Sequence, residues 1–474
     1  MRAARTALAL GAVIPIALLG MHCSSKSSAP GPSAVAGATG ADASVDGAAD
    51  AGADASDASS CPPGLIDGAL TTYTPDDPHI QYAGRFDMTN PKEPRFAASS
   101  VYISANFEGS SVSVSFQDGP GSGNLFEVIL DSYPPVLLTT VVGETTYPVV
   151  PSDDAGAPIN LPCGTHKVTF IKRTEASYGY TTFLGFTFDG PILAPDSPPT
   201  HKIEIIGDSI TCGAGVEATS TDAPECSENG MLNIPGVPEA GYQSGYGAGV
   251  ENGYLAYGSV LGRLLDAEWV VTCQSGIGVY RNYYNLTTGT MPQIYDLLFP
   301  GDSQIMQTWN TAQYVPDLVV IGLGTNDFSH ASSATDIDGR PALDVQNQFV
   351  PAFIQFINQL AAYYPGVTVV LVSSPILGNA YPDPEDMDLT DDQNAMCELA
   401  DLYGFDGGCN GAEAGAFTPE GGVVSDAGPA PNVRVLPAIV DKVIGTGCGG
   451  HPNIQQQAAA AAQIAQVVQG VMGW

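Results

Sequence analysis

Four residues at widely separated positions have the types that an acyl-transfer site requires: Ser209, Gly276, Asn326 and His451. A serine hydroxyl becomes an effective nucleophile when a neighbouring base takes its proton. The oxyanion that forms when the hydroxyl attacks a carbonyl needs N–H donors fixed in place. We therefore interpret Ser209 as the nucleophile and His451 as the base. The backbone N–H groups of Ser209 and Gly276 and the side-chain amide of Asn326 are the predicted oxyanion donors.

Position along the chain selects His451 among the six histidines. Four other histidines lie far from the predicted site. His22 is in the N-terminal segment, His79 and His166 are in the first folded region, and His201 precedes the first strand of the second region. His330 follows the Asn326 loop and is the alternative, as a substrate contact or a surface residue. Pro452 suits the first turn of a helix and would fix His451 just before it, so we prefer His451.

The elements that must position these residues belong to a second region, 200–474. Apolar runs predict strands at 203–207, 269–272, 318–323, 367–372 and 433–436. Amphipathic patterns predict helices at 254–265 and 345–363, and the Ala- and Gln-rich segment predicts a last helix at 454–472. Alternation of strands and helices indicates an α/β three-layer sandwich with a parallel sheet of about five strands. Because the carboxyl ends of parallel strands share one edge, the four residues are expected to meet there.

The preceding region, 61–195, has the period-two pattern of β-strands. Val112, Val114 and Phe116 alternate with serines, and further apolar runs are separated by Gly, Pro and Asp clusters. This pattern predicts a β-sandwich of about eight short strands, followed by a stiff proline-rich linker. Such a sandwich is consistent with a carbohydrate-binding module or with a packing domain, and we slightly prefer the packing role.

The N-terminal residues have the features of an export signal and a tether. Two arginines precede an apolar run at 7–19, which is too short to span a bilayer but typical of a signal peptide. Cys23 lies where bacterial lipoproteins carry their lipidated cysteine, although the three residues before it depart from the usual pattern. We expect 1–23 to be a lipoprotein signal peptide, with simple secretion as the alternative, and 24–60 to be a disordered Ser/Ala/Gly/Asp linker.

We expect the protein to be exported, either as a cell-surface lipoprotein or as a secreted or periplasmic protein. Its charge balance restricts the partners that it can bind. Fifty acidic and 15 basic side chains give a formal net charge of −35. This charge disfavours nucleic acid and anionic lipid and suits a neutral polysaccharide. We expect membrane contact only through a lipid anchor at Cys23, and we expect a monomer.

The cysteines fit an oxidising compartment. Eight remain after Cys23, an even number that permits several disulfides. Proximity to domain and loop boundaries suggests the pairs Cys61–Cys163 and Cys397–Cys409, although pairing cannot be deduced from sequence. No spacing resembles a zinc site, so no metal is predicted.

Motifs in both regions resemble those of the SGNH hydrolases, and more closely those of the carbohydrate esterase family 2 deacetylases. The matching segments are Gly84-Arg85-Phe86-Asp87, Phe183-Leu184-Gly185-Phe186, the run from Gly207 to Gly213, the run from Glu251 to Gly258, the run from Ser275 to Asn282 and the run from Leu323 to Ser329. The resemblance implies a jelly-roll domain fused to an SGNH domain. It also implies removal of O-acetyl groups from plant polysaccharides such as xylan or mannan, with no cofactor.

One position departs from the SGNH pattern. Many members place an Asp three residues before the histidine, where Cys448 stands in this chain. We therefore predict a Ser-His dyad, with a backbone carbonyl within Cys448–Gly450 orienting the imidazole, and a carboxylate from another loop as the alternative. The candidate substrate contacts are Tyr280, Trp309 and Asp327, although buried packing is the preferred role for either aromatic residue taken singly. Asp208 and Asp327 are also expected to hold their loops by hydrogen bonds.

Two other functions use the same motifs. A lipase or thioesterase would share the four loops and differ in the acyl pocket. A surface glycan-binding protein would retain the four residues without turnover. Activity on long-chain acyl esters would favour the lipase or thioesterase, and glycan binding without any ester hydrolysis would favour the binding protein.

Overall fold

The computed structural model describes residues 69–119, 123–227, 248–283, 285–302, 305–329, 342–379, 387–407 and 428–474. The predicted signal peptide with Cys23, the predicted linker 24–60 and the alternative histidine His330 lie outside these residues. Residues Asp57–Trp474 form one compact unit, in which the two predicted regions pack together.

The first region is a β-sandwich of two antiparallel sheets, as its alternating pattern predicted. Its strands are β1 (Thr71–Tyr73), β2 (Gln81–Ala83), β3 (Arg95–Phe96), β4 (Tyr102–Gly109), β5 (Val112–Asp118), β6 (Leu125–Leu130), β7 (Val136–Thr139), β8 (Gly143–Val149), β9 (Gly164–Lys172), β10 (Thr181–Phe188) and β11 (Ile192–Leu193). One sheet has the order β1-β10-β5-β8 with β3 on β10, and the other has the order β11-β4-β9-β6-β7 with β2 on β4. Inward-facing Val114, Phe116, Phe170 and Phe183 fill the core between the sheets.

The described residues hold eleven strands in this region instead of about eight. Several of the extra strands are two or three residues long, such as β1, β3 and β11. Segments this short contain too few residues to show a period of two, so pairing with a neighbouring strand decides their structure.

The second region has the predicted five-stranded parallel sheet. Its strands are β12 (His201–Gly207), β13 (Ala267–Cys273), β14 (Leu318–Gly322), β15 (Thr368–Val372) and β16 (Arg434–Ala438), in the order β13-β12-β14-β15-β16. Ile203, Ile205 and Ile206 are completely buried, as expected for a strand covered on both faces.

Helices cover both faces of this sheet. They are α1 (Ser209–Cys212), α2 (Tyr257–Leu264), α3 (Met291–Ile294), α4 (Thr325–Phe328), α5 (Val350–Tyr363), α6 (Asp388–Leu402) and α7 (Ile454–Met472). Phe353 and Phe356 of α5 pack on one face, and Leu261 of α2 and Ile464 of α7 pack on the other. The three-layer prediction is therefore confirmed. None of the helices in the described ranges has the length and apolar composition needed to cross a membrane.

Helix α6 was not predicted. Its sequence carries several acidic residues and no clear apolar stripe, yet Met396 and Leu399 are buried against the sheet. Tertiary packing therefore stabilises this helix more than its own pattern does.

A buried ion pair joins the sandwich to the parallel sheet. Arg85, in the loop after β2, donates from Nη2 to Glu204 Oε1 at 2.7 Å, and both side chains are almost fully buried. Tyr295 donates its hydroxyl to the other Glu204 oxygen at 2.8 Å, and Thr272 donates to Oε1 at 2.9 Å. These bonds explain how a charged residue is accommodated in the middle of β12.

Two disulfides lie within the described residues. Cys212 pairs with Cys273, and Cys226 pairs with Cys448. Neither pair was predicted, because the partners are 61 and 222 residues apart and meet only in the folded chain. The suggested pairs Cys61–Cys163 and Cys397–Cys409 each include a residue outside the described ranges.

Candidate active site

Ser209 begins helix α1 directly after the carboxyl end of strand β12. Asp208 caps this helix, because its Oδ1 accepts the N–H of Ile210 at 2.9 Å. Gly213 ends the helix in the left-handed conformation, with φ of 79°. This one-turn helix between two fixed ends holds the Ser209 hydroxyl at the edge of the sheet.

His451 lies against Ser209, although 242 residues separate them. Its Nε2 is 2.7 Å from Ser209 Oγ, and its Nδ1 is 2.9 Å from the carbonyl oxygen of Cys448. A carbonyl only accepts, so Nδ1 carries the hydrogen, and Nε2, which carries none, is the acceptor for the serine proton. Burial lowers the pKa of His451, against an opposing contribution from the Cys448 carbonyl, and thus favours the neutral base.

The predicted oxyanion donors surround the same edge. Gly276 has φ of 75°, a conformation that glycine adopts without strain, and its loop is joined to β12 by the N–H of Gln274 donating to Gly207. Within the described residues, neither the Ser209 N–H nor the Gly276 N–H donates a hydrogen bond. Both are therefore available to an oxyanion.

Asn326, in helix α4, completes this group. Its Nδ2 donates to the carbonyl of Ile277 at 2.8 Å and lies 3.4 Å from Asp208 Oδ2. The bond to Ile277 fixes the amide against the Gly276 loop. The structure thus brings all four predicted residues to one edge of the sheet.

Asp327 does not lie where a substrate contact must lie, so this part of the prediction is corrected. Its side chain is completely buried and accepts the N–H groups of Val279, Tyr280 and Arg281 at 2.8–2.9 Å. Burial raises the pKa of Asp327 to about 6 despite these bonds. The carboxylate therefore holds the loop after Gly276 from beneath, in agreement with the loop-holding role also expected of it.

Trp309 is also displaced from the predicted role. It is 8% exposed and packs with Leu298, Phe299 and Tyr314 in an apolar cluster between the sandwich and the sheet. Its ring also lies 5.8 Å from the guanidinium of Arg85. Trp309 therefore packs the junction and is not a sugar platform. Tyr280 is partly buried against the core and remains a candidate substrate contact.

The sandwich contributes to this site a residue that was not predicted from the sequence. Glu175, which follows strand β9, is buried, and its Oε2 accepts the N–H of Ser275 at 2.6 Å. Ser275 immediately precedes Gly276, so a side chain of the sandwich supports the oxyanion loop. Glu251, the first residue of the motif segment from Glu251 to Gly258, accepts the Glu175 N–H. This motif was therefore a partial signal for the contribution of Glu175.

Cys448 stands three residues before His451, where many SGNH hydrolases have an Asp, but it is part of the Cys226–Cys448 disulfide and carries no charge. Cys448 contributes its carbonyl to His451 and its N–H to the carbonyl of Gly215, the latter at 3.3 Å. The disulfide ties the same residue to the segment around Cys226. The carbonyl that orients the histidine therefore belongs to a residue that is anchored at two points. The described part of the chain contains no group of three or more metal-ligating side chains.

The arrangement of these residues on a parallel sheet defines the SGNH class of ester hydrolases. Residues 82–196 match the carbohydrate esterase 2 N-terminal family, and residues 205–406 match the GDSL-like lipase/acylhydrolase family. Both regions of the chain are therefore similar to carbohydrate esterase family 2 enzymes. The second match includes Ser209, Gly276 and Asn326 and ends before His451.

Similar proteins include two curated bacterial enzymes. Cellulase/esterase CelE of Acetivibrio thermocellus is 33% identical over 312 residues, which are 65% of this chain and 33% of the relative. An acetylxylan esterase / glucomannan deacetylase of Cellvibrio japonicus is 26% identical over 308 residues, which are 65% of this chain and 74% of the relative. The chain thus spans about a third of the length of CelE.

A solved structure shows the same two-domain fold. It is a family two carbohydrate esterase from Clostridium thermocellum in complex with cellohexaose. The TM-score is 0.63 at 27% identity, and the match covers 83% of this chain and 99% of that chain.

Proposed function

We propose that this chain is an exported carbohydrate esterase that removes O-acetyl groups from plant polysaccharides of the xylan or mannan type by a Ser-His dyad. The observation that carries the proposal is the hydrogen bond of 2.7 Å between Ser209 Oγ and His451 Nε2, with Nδ1 bonded to a backbone carbonyl. The substrate class is supported by the Cellvibrio japonicus relative, which is an acetylxylan esterase / glucomannan deacetylase.

The first half of the reaction forms an acetyl-enzyme. Ser209 Oγ attacks the acetyl carbonyl carbon while its proton passes to His451 Nε2. The resulting oxyanion accepts hydrogen bonds from the N–H groups of Ser209 and Gly276 and from Asn326. His451 then gives the proton to the sugar oxygen, the bond between that oxygen and the acyl carbon breaks, and the deacetylated sugar leaves.

The second half restores the enzyme. His451 takes a proton from water, and the hydroxide attacks the acetyl-enzyme carbonyl to form a second oxyanion in the same donors. The tetrahedral intermediate collapses to acetic acid as Ser209 Oγ leaves and regains its proton from His451. The Cys448 carbonyl keeps Nδ1–H in place throughout, without the charge that an Asp would supply to the imidazolium.

Export and anchoring complete the proposal. The apolar run at 7–19 and Cys23 support a lipoprotein signal peptide, and the linker 24–60 would tether a monomeric enzyme to the cell surface. Mass spectrometry of the mature N-terminus tests this directly. A diacylglyceryl-modified Cys23 supports the anchor, and cleavage after the apolar run at another residue supports simple secretion.

The decisive experiment measures acetate release from acetylated xylan and acetylated glucomannan. The parent protein is compared with Ser209→Ala and His451→Ala, and with Glu144→Gln on the exposed face of the sandwich as a control. We expect turnover by the parent and the control, and losses of about 1,000-fold or more in both site variants.

Other results would select another function. Faster release of long-chain acids than of acetate would favour a lipase or thioesterase. A folded parent that releases no acetate from any glycan or small acetyl ester would overturn the esterase and favour a glycan-binding protein.

A further inference from the structure

A groove with a volume of about 420 Å³ lies between the outer face of the six-stranded sheet and the second region. Its floor is formed by neighbouring strands β4, β9 and β6. Tyr102 of β4 pairs with Ile171 of β9, and Ser104 pairs with Thr169, which in turn pairs with Ile129 of β6. Side chains at alternate positions of these strands point away from the sandwich core, so the floor is continuous across three strands.

The walls come from the second region and from the linker. Trp269 and Glu268 of strand β13 line one side, together with Tyr254, which precedes α2. Residues 196–199 of the proline-rich linker line another part. The rings of Tyr102 and Trp269 lie 5.0 Å apart at an angle of 44°, so floor and wall meet in an aromatic corner.

Polar groups in the groove are left without protein partners. Within the described residues, no hydrogen bond is made by the Tyr102 hydroxyl, the Ser104 hydroxyl or the Glu268 carboxylate. These three groups are accessible at the surface of the groove. None of their oxygen atoms is among the fully buried side-chain atoms of the described residues that lack a hydrogen-bond partner. Their hydrogen-bonding capacity is therefore available to solvent or to a ligand.

The chemistry of the groove fits a neutral sugar. Aromatic rings pack against the apolar faces of a pyranose ring, and carboxylates and hydroxyls bond to its hydroxyl groups. An anionic ligand does not fit, because Lys167 is already paired with Asp196 at 2.8 Å and Glu268 is acidic. The strongly negative chain also disfavours an anion.

The groove is separate from the catalytic edge. Glu268 pairs with Lys202, near the amino end of the parallel sheet, whereas Ser209 follows the carboxyl end of the same strand. The five steps along the strand from Lys202 to Gly207 span about 17 Å, at about 3.3 Å per residue. A sugar in the groove therefore does not occupy the acyl site.

We infer that this groove is a second, non-catalytic binding site for an unsubstituted stretch of a neutral β-linked glycan. The choice of a polysaccharide as the ligand rests on the proposed function. A chain held here would keep the enzyme on its polymer while acetyl groups elsewhere are removed, which would raise the effective concentration of substrate at Ser209.

Tryptophan fluorescence tests the inference, because the chain has only three tryptophans and Trp269 lines the groove. The full chain carrying Ser209→Ala is titrated with unacetylated xylohexaose, mannohexaose and cellohexaose. We expect a saturable change with at least one of them. Trp269→Phe should abolish the change, and Trp474→Phe, whose ring stacks on His201 outside the groove, should retain it.

A second pair of variants tests the polar contact without altering a tryptophan. Glu268→Gln should raise the Kd measured in the titration by about tenfold or more, because a sugar hydroxyl bonds more strongly to a carboxylate than to an amide. Glu144→Gln, on the other sheet, should leave Kd unchanged. Circular dichroism and thermal melting establish that each variant is folded.

Two results would overturn the second site. One is the absence of a saturable change with all three oligosaccharides, and the other is an unchanged Kd in Glu268→Gln. Turnover of 4-nitrophenyl acetate by the parent tests the esterase separately. The titration involves neither an acetyl group nor catalysis, so either proposal can fail without the other.

Discussion

A backbone carbonyl orients His451, the proposed catalytic base. The bond from Nδ1 to Cys448 fixes the tautomer, and burial lowers the pKa of the imidazole from its usual value. A carbonyl carries no formal charge, so it stabilises the imidazolium less than an Asp would. The neutral form of the imidazole is therefore favoured.

We predict that kcat/KM for an acetyl ester falls at acid pH with a midpoint below 6.5. The base must be neutral to accept the Ser209 proton, and protonation is complete only below the lowered pKa of His451. Rates from pH 4 to 9 give the midpoint. Asp208→Asn is the control, since burial raises the pKa of Asp208 to about 7. A midpoint above 6.5, or loss of the acid limb in Asp208→Asn, would contradict the assignment.

Two elements outside the proposed dyad hold the loops of the candidate active site. The Cys226–Cys448 disulfide anchors the turn before His451, and Glu175 of the sandwich anchors the loop that carries Gly276. Both are positioning elements, because neither provides an atom to the reaction. Their loss should therefore change kcat more than the binding of small esters.

Breaking the disulfide should lower kcat by about tenfold or more, since a small displacement of a positioned group is costly. The carbonyl of Cys448 would no longer hold the imidazole in one orientation. Cys226→Ser, Cys448→Ser and the double variant are compared by steady-state kinetics below their melting temperatures. Because one bond is lost in every case, the double variant should be no slower than the singles. Full activity in all three would contradict the role of the disulfide.

Glu175→Ala should lower kcat by up to about 100-fold, because Ser275 would lose the acceptor that positions the adjacent Gly276 N–H. Glu175→Gln keeps an acceptor oxygen and should recover part of the rate. Glu127→Ala serves as the matched control, since Glu127 is buried nearby, and its contacts to Arg173 and Asn252 do not include the oxyanion loop. Equal kcat losses in Glu127→Ala and Glu175→Ala, with equal losses of stability, would indicate a general folding defect.

The sandwich and the parallel-sheet region stabilise each other through buried contacts at their junction. Arg85 of the sandwich neutralises Glu204 in the central part of the parallel sheet, and the apolar cluster around Trp309 packs beside it. The sandwich is therefore part of the hydrophobic and electrostatic support of the catalytic region, in addition to carrying the floor of the proposed groove.

Replacing Arg85 with Met should lower the free energy of unfolding by about 3–5 kcal/mol, because Glu204 would remain buried without its cation. The double variant Arg85→Met/Glu204→Leu should recover much of this loss. Urea unfolding measures both. Arg95→Met removes a partly exposed cation that pairs with Asp87, and it should cost less. An Arg85→Met variant as stable as the parent would show that the ion pair does not join the regions.

Patterns of short range predicted the layers of this protein. The isoleucines of β12 indicate a buried strand, and the composition of α7 indicates a half-buried helix. Both patterns involve only residues that are close together in the sequence, so the positions of these elements can be predicted from it. The helical stripe of α6 is weak, and its burial depends on residues elsewhere in the chain.

Because parallel strands place their carboxyl ends together, the sequence was sufficient to predict that Ser209, Gly276, Asn326 and His451 share one edge. Which atoms meet at that edge depends on the folded chain. The Cys448 carbonyl on His451, the burial of Asp327, the place of Trp309 in the junction and the disulfide pairs all depend on contacts between distant residues. Such contacts leave no periodic signal in the sequence, because the intervening chain can vary in length and course without changing them.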